Sequence, residues 1–413
     1  MKHKIKDFFV KIIMVLLPLY QKLLVLRLRQ KKQINVVFYA SSLAMWRYQH
    51  LYEAMSKHPK FNAKIVILPS QPYSKEQQKK DVEHLIGFFT SRNISFVLAY
   101  KENGDSLDVK KVLNPDIVFY PQPYNDFYEK KHNSKVYISK LICYYPYAFW
   151  RSTDYWSYNL LFHNLAWKLF YSTELHRKDA NRIANNKGRN VEVVGYPTAD
   201  DFLFRDHVDL WKRQNENKKR VIWAPHFTIK PGGLLKQSNF LWMADLMLEI
   251  AEKYSDKLQF AFKPHPRLYT ELCKGDVWGQ EKTDEYYHKW ATMPNSQIET
   301  GEFVDLFMTS DAMIHDSGSF SVEYLYTNNP VMYIADDFDD QVSKMSEFGQ
   351  MAARQQYVGS KKEHIIDFIE KVIIGGEDPM AVQRKEFVQA YLVPPNGKSV
   401  VENTMDVLLK ELS

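Results

Sequence analysis

The feature that most constrains this chain is a succession of short, unbroken apolar runs, each of strand length and each followed by a helical or polar stretch. "INVVFYA" (Ile34 to Ala40) opens the series, and a helical pattern through Trp46, Leu51 and Met55 follows it. "AKIVILP" (Ala63 to Pro69), "FVLAY" (Phe96 to Tyr100) and "PDIVFYPQPY" (Pro115 to Tyr124) continue it, then the end of "KVYISKLICYYPY", "WKLFYST" and "VEVVGYP". A strand wet on one face alternates apolar with polar residues, whereas a strand covered on both faces reads as a continuous apolar run. The expected fold is therefore α/β, with parallel strands and helices on both faces of the sheet.

After the polar, charge-dense run from Lys212 to Arg220 the pattern restarts. "VIWAPHF" (Val221 to Phe227), "LQFAFKPHP" (Leu258 to Pro266), "SQIET" (Ser296 to Thr300), "AMIHDSG" (Ala312 to Gly318) and "PVMYIAD" (Pro330 to Asp336) are the new strands. Helical segments separate them, from Asn239 to Tyr254, Phe303 to Ser310 and Phe320 to Thr327. A chain of 413 residues is too long for one ordinary core, so two Rossmann-like domains in tandem are expected. The expected organisation is residues 1–32 as a basic segment and 33–210 as an N-terminal acceptor domain. Residues 219–385 then form a nucleotide-donor domain, and 386–413 a helical end with its helix near Ser399 to Leu412. Ligands of open α/β sheets bind at the carboxyl ends of strands, so the expected site is a cleft lined by those ends.

The net charge of +6 belongs to the N-terminus. Residues 1–32 carry nine lysines and arginines against Asp7, which is 9 − 1 = +8 and leaves 6 − 8 = −2 for the rest. A near-neutral body excludes a nucleic-acid-binding one. The longest uncharged run, Ile12 to Gln21, has 10 residues and contains Pro18, whereas spanning a bilayer takes roughly 20 apolar residues. No small-residue cleavage site of a secretory signal follows it. Basic residues flanking Phe, Ile, Leu and Tyr suit an amphipathic helix lying on an anionic membrane surface, which predicts a peripheral protein on the cytoplasmic face of the plasma membrane. The bland alternative is a helix packed on the protein's own core. Two cysteines, Cys143 and Cys273, exclude a disulfide framework and a cysteine-rich metal site, and no metal is expected.

Three strands of the second half end in a histidine or a polar cluster. "APHFT" brings His226 and Thr228, "FKPHPR" brings Lys263, His265 and Arg267, and "HDSGS" brings Asp316, Ser317, Gly318 and Ser319. Parallel strands place these ends on one edge, where cations, imidazoles and hydroxyls form an inventory for a phosphate or pyrophosphate. Prolines on both sides of His265 stiffen the segment that presents it. Ser317, Gly318 and Ser319 fall at the start of the next helix, whose unpaired N–H groups attract an anion. Ser319 serves equally as that helix's cap. Glu323, one turn on, is placed to reach a ribose hydroxyl.

At these residues the chain resembles the CDP-glycerol glycerophosphotransferase family, the teichoic-acid glycerol-phosphate primases and polymerases. The family's Thr-Asp-Tyr-Ser-Ser segment, the acidic residue four positions on and a Lys-Pro-Val strand are matched in "HDSGSFSVEYLYTNNPVMYI" by Asp316, Ser319, Glu323, Tyr324 and Pro330-Val331. "FKPHP", "VIWAPHFT" and "GYPTADDF" (Gly195 to Phe202) resemble three further family motifs, and the likeness covers roughly residues 135 to 345. It implies a GT-B architecture, no obligatory metal or other cofactor, and transfer of a polyol phosphate from a CDP-activated donor to a lipid-linked or glycan hydroxyl. It also implies that the pyrophosphate lies against Ser317, Gly318, Ser319 and His265 and that His265, with Lys263 or Arg267, offsets charge as CMP leaves.

One departure stands out. The family's Trp-His-Gly-Thr-Pro motif, which carries a general base, falls near Ile142 to Trp150, where this chain reads "ICYYPYAFW" without a histidine. A tyrosine of pKa about 10 is a poor base at neutral pH, so His50 is the substitute candidate, with Tyr147 a lining residue of the cleft. Two rival functions remain: a GT-B glycosyltransferase using a UDP- or CMP-sugar, and a non-catalytic envelope-assembly protein with a degenerate site.

Overall fold

The computed structural model describes residues 2–100, 105–229, 238–318 and 320–413. The chain divides into two compact units, one of residues 1–200 with 394–413 and one of residues 201–393.

The first unit is built on seven parallel strands, β1 (Ile34–Ala40), β2 (Phe61–Ile67), β3 (Phe96–Leu98), β4 (Ile117–Tyr120), β5 (Leu141–Tyr144), β6 (Lys168–Tyr171) and β7 (Val191–Val193). Their order is β3-β2-β1-β4-β5-β6-β7, so the direction of winding reverses between β1 and β4. Because successive side chains point to opposite faces, two aromatic layers result. Phe38 of β1 stacks on Phe119 of β4 at 4.6 Å on one face, while Tyr39 meets Tyr120 at 5.2 Å on the other. The tyrosine face is wired by hydroxyls: Tyr39 bonds Tyr137 at 2.6 Å, and Tyr120 donates to the His132 carbonyl at 2.8 Å. After β1 the chain makes a 3₁₀ turn (Leu43–Met45), and its helix, Gln49–Lys57, starts later than the apolar spacing predicts.

The N-terminal helix, Lys2–Arg29, seats Leu17, Gln21, Val25 and Leu28 against this unit, and Gln21 donates to the Leu165 carbonyl at 3.1 Å. Among the described residues no helix is long and apolar enough to cross a membrane. The C-terminal helix, Val400–Leu412, also joins the first unit. Ser399 and Glu402 close a capping box at its start, and both Asp200 oxygens accept its first N–H groups, from Val400 at 2.7 Å and Val401 at 3.0 Å. Near its end Glu411 pairs with Lys168 of β6 at 2.8 Å.

The second unit repeats the same winding with six parallel strands, β8 (Lys219–Ala224), β9 (Leu258–Phe262), β10 (Ser296–Ile298), β11 (Ala312–His315), β12 (Val331–Ile334) and β13 (Tyr357–Gly359), in the order β10-β9-β8-β11-β12-β13. Its core is aromatic: Trp223 stacks on Phe262 at 5.0 Å and on Phe240 at 5.6 Å, with Trp290 fully buried beside them. The segment expected to be helical from Phe320 to Thr327 is one α-turn, Phe320–Glu323, continued as 3₁₀ from Tyr324 to Thr327. Asn328, at φ 58°, ends it in the left-handed region that asparagine tolerates.

Candidate functional site

The second sheet reverses its winding between β8 and β11, and the crevice outside the carboxyl ends of such strands is where open α/β sheets take ligands. Register brings the relevant residues there, since Trp223 pairs Phe262 and Ala224 pairs His315. The chains stay side by side beyond the strands. Lys263 N donates to the Trp223 carbonyl at 2.8 Å and His265 N to the Pro225 carbonyl at 3.0 Å.

His226 and His265 consequently meet edge to face, with ring centroids 5.0 Å apart. Phe227 lies 4.4 Å from the His265 ring, and the Arg267 guanidinium sits 4.2 Å over the same Phe227. The backbone N–H of Arg267 donates to His265 Nδ1 at 3.1 Å, so that nitrogen is an acceptor and the ring's proton is on Nε2. His226 Nδ1 is likewise engaged, by Thr228 Oγ1 at 2.9 Å and Thr228 N at 3.4 Å. Burial pushes both imidazoles down to about 4, helped at His226 by Arg267 and at His265 by His226 and Arg267. At neutral pH they are neutral Nε2–H donors beside one permanent cation, Arg267, whose side chain is 65% exposed.

Asp316 works behind this cluster. It is buried, and its two oxygens accept the backbone N–H groups of His226 and Asn239, each at 2.6 Å. That one carboxyl thus ties the end of β8 and the start of helix Phe240–Lys253 to the end of β11. Burial pushes it up to about 7 against the pull of those donors. His315, which the sequence reading did not assign, accepts Ser317 N on Nδ1 at 3.1 Å and bonds Gln356 Oε1 through Nε2 at 2.8 Å, fixing the turn. Its place in "HDSGS" was the available signal. Ser317 is buried, Gly318 half-buried with its carbonyl taking the Ser321 hydroxyl at 2.7 Å, and Glu323 buried; Ser319 lies outside the described residues. Lys263 is turned away from the imidazoles. It is buried, donates to the Gly301 carbonyl at 2.8 Å and is pushed down to about 8 by burial.

The first sheet carries a different edge. Continuing the β1–β4 register from Phe38 and Phe119 sets Ser41 opposite Gln122 at the reversal point. Among the described residues the hydroxyls of Ser41, Ser70 and Tyr144 and both polar atoms of the Gln122 side chain are buried without a hydrogen-bond partner. Nothing in the sequence distinguishes them. His50 is the second residue of helix Gln49–Lys57, and Tyr147 is half-buried, 5.3 Å from Trp150. In the segment that lacks the family histidine, Tyr144 and Tyr145 are core residues whose hydroxyls burial holds far above the usual phenol range, as it does that of Tyr147. His176 abuts this segment, yet both its nitrogens are engaged, by Thr173 Oγ1 at 2.7 Å and the Trp150 carbonyl at 3.0 Å.

A family model described as CDP-Glycerol:Poly(glycerophosphate) glycerophosphotransferase matches residues 151–393, more than half of the chain. The match begins one residue after the segment where the histidine motif fails. No curated protein matches the chain. Among solved structures, a putative UDP-N-acetylglucosamine 2-epimerase from Listeria monocytogenes aligns with a TM-score of 0.60 at 15% identity, over 93% of this chain and 97% of that one. The S. aureus MnaA–UDP structure gives 0.58 at 15%, over 93% and 98%, and the wall teichoic acid polymerase TagF, H548A, gives 0.57 at 12%, over 93% and 90%. At such identities the likeness establishes the fold, GT-B-like α/β.

Proposed function

The chain belongs to the CDP-glycerol:poly(glycerophosphate) glycerophosphotransferase family and is a transferase, and on that premise we propose that it moves a polyol phosphate, glycerol phosphate or a close analogue, from a CDP-activated donor to a hydroxyl of a lipid-linked or glycan acceptor. The product is a cell-envelope or capsule polymer, and no resident cofactor takes part. The observation that carries this reading is the pair of Nε2–H imidazoles beside Arg267 at the reversal point of the second sheet.

The acceptor hydroxyl oxygen attacks the distal phosphorus and its proton passes to solvent. The bond from that phosphorus to the bridging oxygen breaks, and CMP leaves with the electron pair. His265 Nε2–H and Arg267 meet the charge that grows on the departing phosphate, which is the electrostatic contribution that dominates phosphoryl transfer. Asp316 keeps the loop that carries His226 in place. The uncharged edge of the first unit, with Ser41, Gln122 and Tyr144, suits a hydroxyl-bearing acceptor. The charge and exposed leucines of the N-terminal helix support a peripheral position on the cytoplasmic face of the plasma membrane.

The substituted segment Ile142 to Trp150 favours one second reading, transfer of a sugar from a UDP- or CMP-sugar. Incubation with CDP-glycerol, CDP-ribitol, UDP-sugars and CMP-sugars in turn, with an assay for CMP, CDP and UDP, separates the two. CMP released from a CDP-polyol is the expected result. UDP released from a UDP-sugar overturns it, as does nucleotide binding without turnover.

A further inference from the structure

The loops after β2, β4 and β5 raise a continuous row of aromatic rings at the carboxyl edge of the first sheet. Tyr73 meets Phe127 edge to face at 5.6 Å, and Phe127 meets Tyr124 at 5.8 Å. The Tyr124 hydroxyl is hydrogen-bonded to that of Tyr147, whose ring meets Trp150 at 5.3 Å. The Gln71 N–H donates to the Phe127 carbonyl at 3.1 Å and so ties the first two loops together. Each of the five aromatic residues keeps a part of its surface in solvent.

Under the row lies a polar layer. Tyr120 pairs Tyr144 across β4 and β5 and packs against Tyr39 of β1 at 5.2 Å, so the three share one sheet face. Two residues on from Tyr39 and Tyr120, the same face brings Ser41 and Gln122. The Tyr144 hydroxyl is within electrostatic reach of those of Tyr147 and Tyr124, which joins the layer to the row. Among the described residues the Ser41 hydroxyl, both polar atoms of the Gln122 side chain, the Tyr144 hydroxyl and the Trp150 indole N–H are buried without a hydrogen-bond partner. Such groups cost stability until a ligand or water answers them.

Neither the row nor the layer contributes a charged side chain, and at their margin the exposed Asp126 and Lys130 offset each other. A phosphate diester placed there would lie unneutralised. A sugar ring fits the chemistry better. The negative face of an aromatic ring favours polarised C–H groups, which line one side of a pyranose. Sugar hydroxyls are donors and acceptors at once, and so match a carboxamide and two hydroxyls.

We propose that the acceptor presents an uncharged sugar ring to this edge, stacked on the aromatic row about Tyr124, its hydroxyls answered by Ser41, Gln122 and Tyr144 directly or through water. The assignment rests on the reading of the chain as a polyol-phosphate transferase and deepens it. The oxygen that attacks the distal phosphorus belongs to a sugar, not to a polyol phosphate already in place, and its proton passes to solvent as CMP leaves. The chain then adds its unit to a glycan end rather than extending a polyol-phosphate polymer.

The test gives the full chain CDP-glycerol and CDP-ribitol in turn, with two sets of acceptors. One set is a panel of prenyl diphosphate disaccharides that differ in their terminal hexose or N-acetylhexosamine. The other is the same panel with one glycerol phosphate already on that terminal sugar. The expected result is CMP release at least tenfold faster with a member of the first set than with any of the second. Equal or faster release with the second set overturns the sugar site and leaves the transferase standing, whereas release with neither set overturns both. Tyr124→Ala is expected to raise KM for the preferred acceptor at least tenfold, with KM for the CDP-polyol as in the parent. Tyr124→Phe, which keeps the ring, should restore most of that loss. An unchanged acceptor KM in Tyr124→Ala, a rise in both KM values, or an equal loss in Tyr124→Phe overturns the stacked sugar.

Discussion

The two sheets reverse their winding at the same relative place, between the first and fourth strands of each unit, yet the two reversal points carry opposite chemistry. Outside β8 and β11 stand two imidazoles, a phenyl ring and an exposed guanidinium. Outside β1 and β4 stand the Ser41 hydroxyl and the Gln122 carboxamide, uncharged, sealed from solvent and, among the described residues, without hydrogen-bond partners. One topology thus carries a donor-rich edge with a cation and a neutral polar edge. The difference lies in two or three residues after each strand rather than in the strands themselves.

The sharpest break in that comparison comes from the basic edge. His265→Ala is expected to lower turnover roughly 10²–10³-fold at saturating donor, the scale of losing one preorganised donor to developing charge. Arg267→Ala, which removes an exposed guanidinium from the same developing charge, is expected to lower kcat only about tenfold, because that charge stands largely in water. Steady-state kinetics with CDP-glycerol distinguish the two, and unchanged kcat in His265→Ala removes that residue from the mechanism.

The neutral edge makes the opposite prediction. A buried polar group without a partner costs about 1–3 kcal/mol, so Gln122→Leu is expected to stabilise the chain and raise Tm by about 2–4 °C per kcal/mol gained. Turnover with acceptor should fall in the same variant. Unchanged turnover takes Gln122 out of the acceptor site, and a lowered Tm shows that its carboxamide has an undetected partner such as a bound water.

The smallest effect is one of pH. Both imidazoles titrate near 4 in the fold and at 6.5 ordinarily, so the unfolded chain takes up protons that the folded one refuses, and stability falls as pH drops from 6.5 towards 4. Asp316 acts the other way, since its folded value near 7 exceeds its ordinary 3.8 and the folded state gains protons over that window. In the unaltered chain the two trends partly cancel. Asp316→Asn deletes only the second, so its Tm should fall more steeply between pH 7 and pH 5 than that of the parent.

What the sequence revealed follows the same physics. Strands covered on both faces are written as apolar runs, so β1 was legible to the residue and the strands beside it nearly so. β13, three residues at a sheet edge with Val358 exposed, leaves no such signature and escaped. His226, His265 and Arg267 were legible because histidine and arginine after a strand are chemically conspicuous. The work of Asp316 was not, because its partners are backbone N–H groups that no residue letter records. Lys263 misled for a related reason. Its charge is visible in the sequence, but the carbonyl it turns to, Gly301, is not.

The first unit is interrupted by the second and resumes at residue 394. On the ribosome, therefore, the chain that starts first is finished last. Residues 201–393 are all out of the exit tunnel before Thr404, Glu411 and the N–H groups that Asp200 awaits have appeared. Until then Lys168 has one carboxylate where the finished protein gives it two, and the capping of the last helix has no helix to cap. Synthesis from one end to the other thus lets the unit of residues 201–393 assemble early and holds back completion of the unit that carries the N-terminal helix.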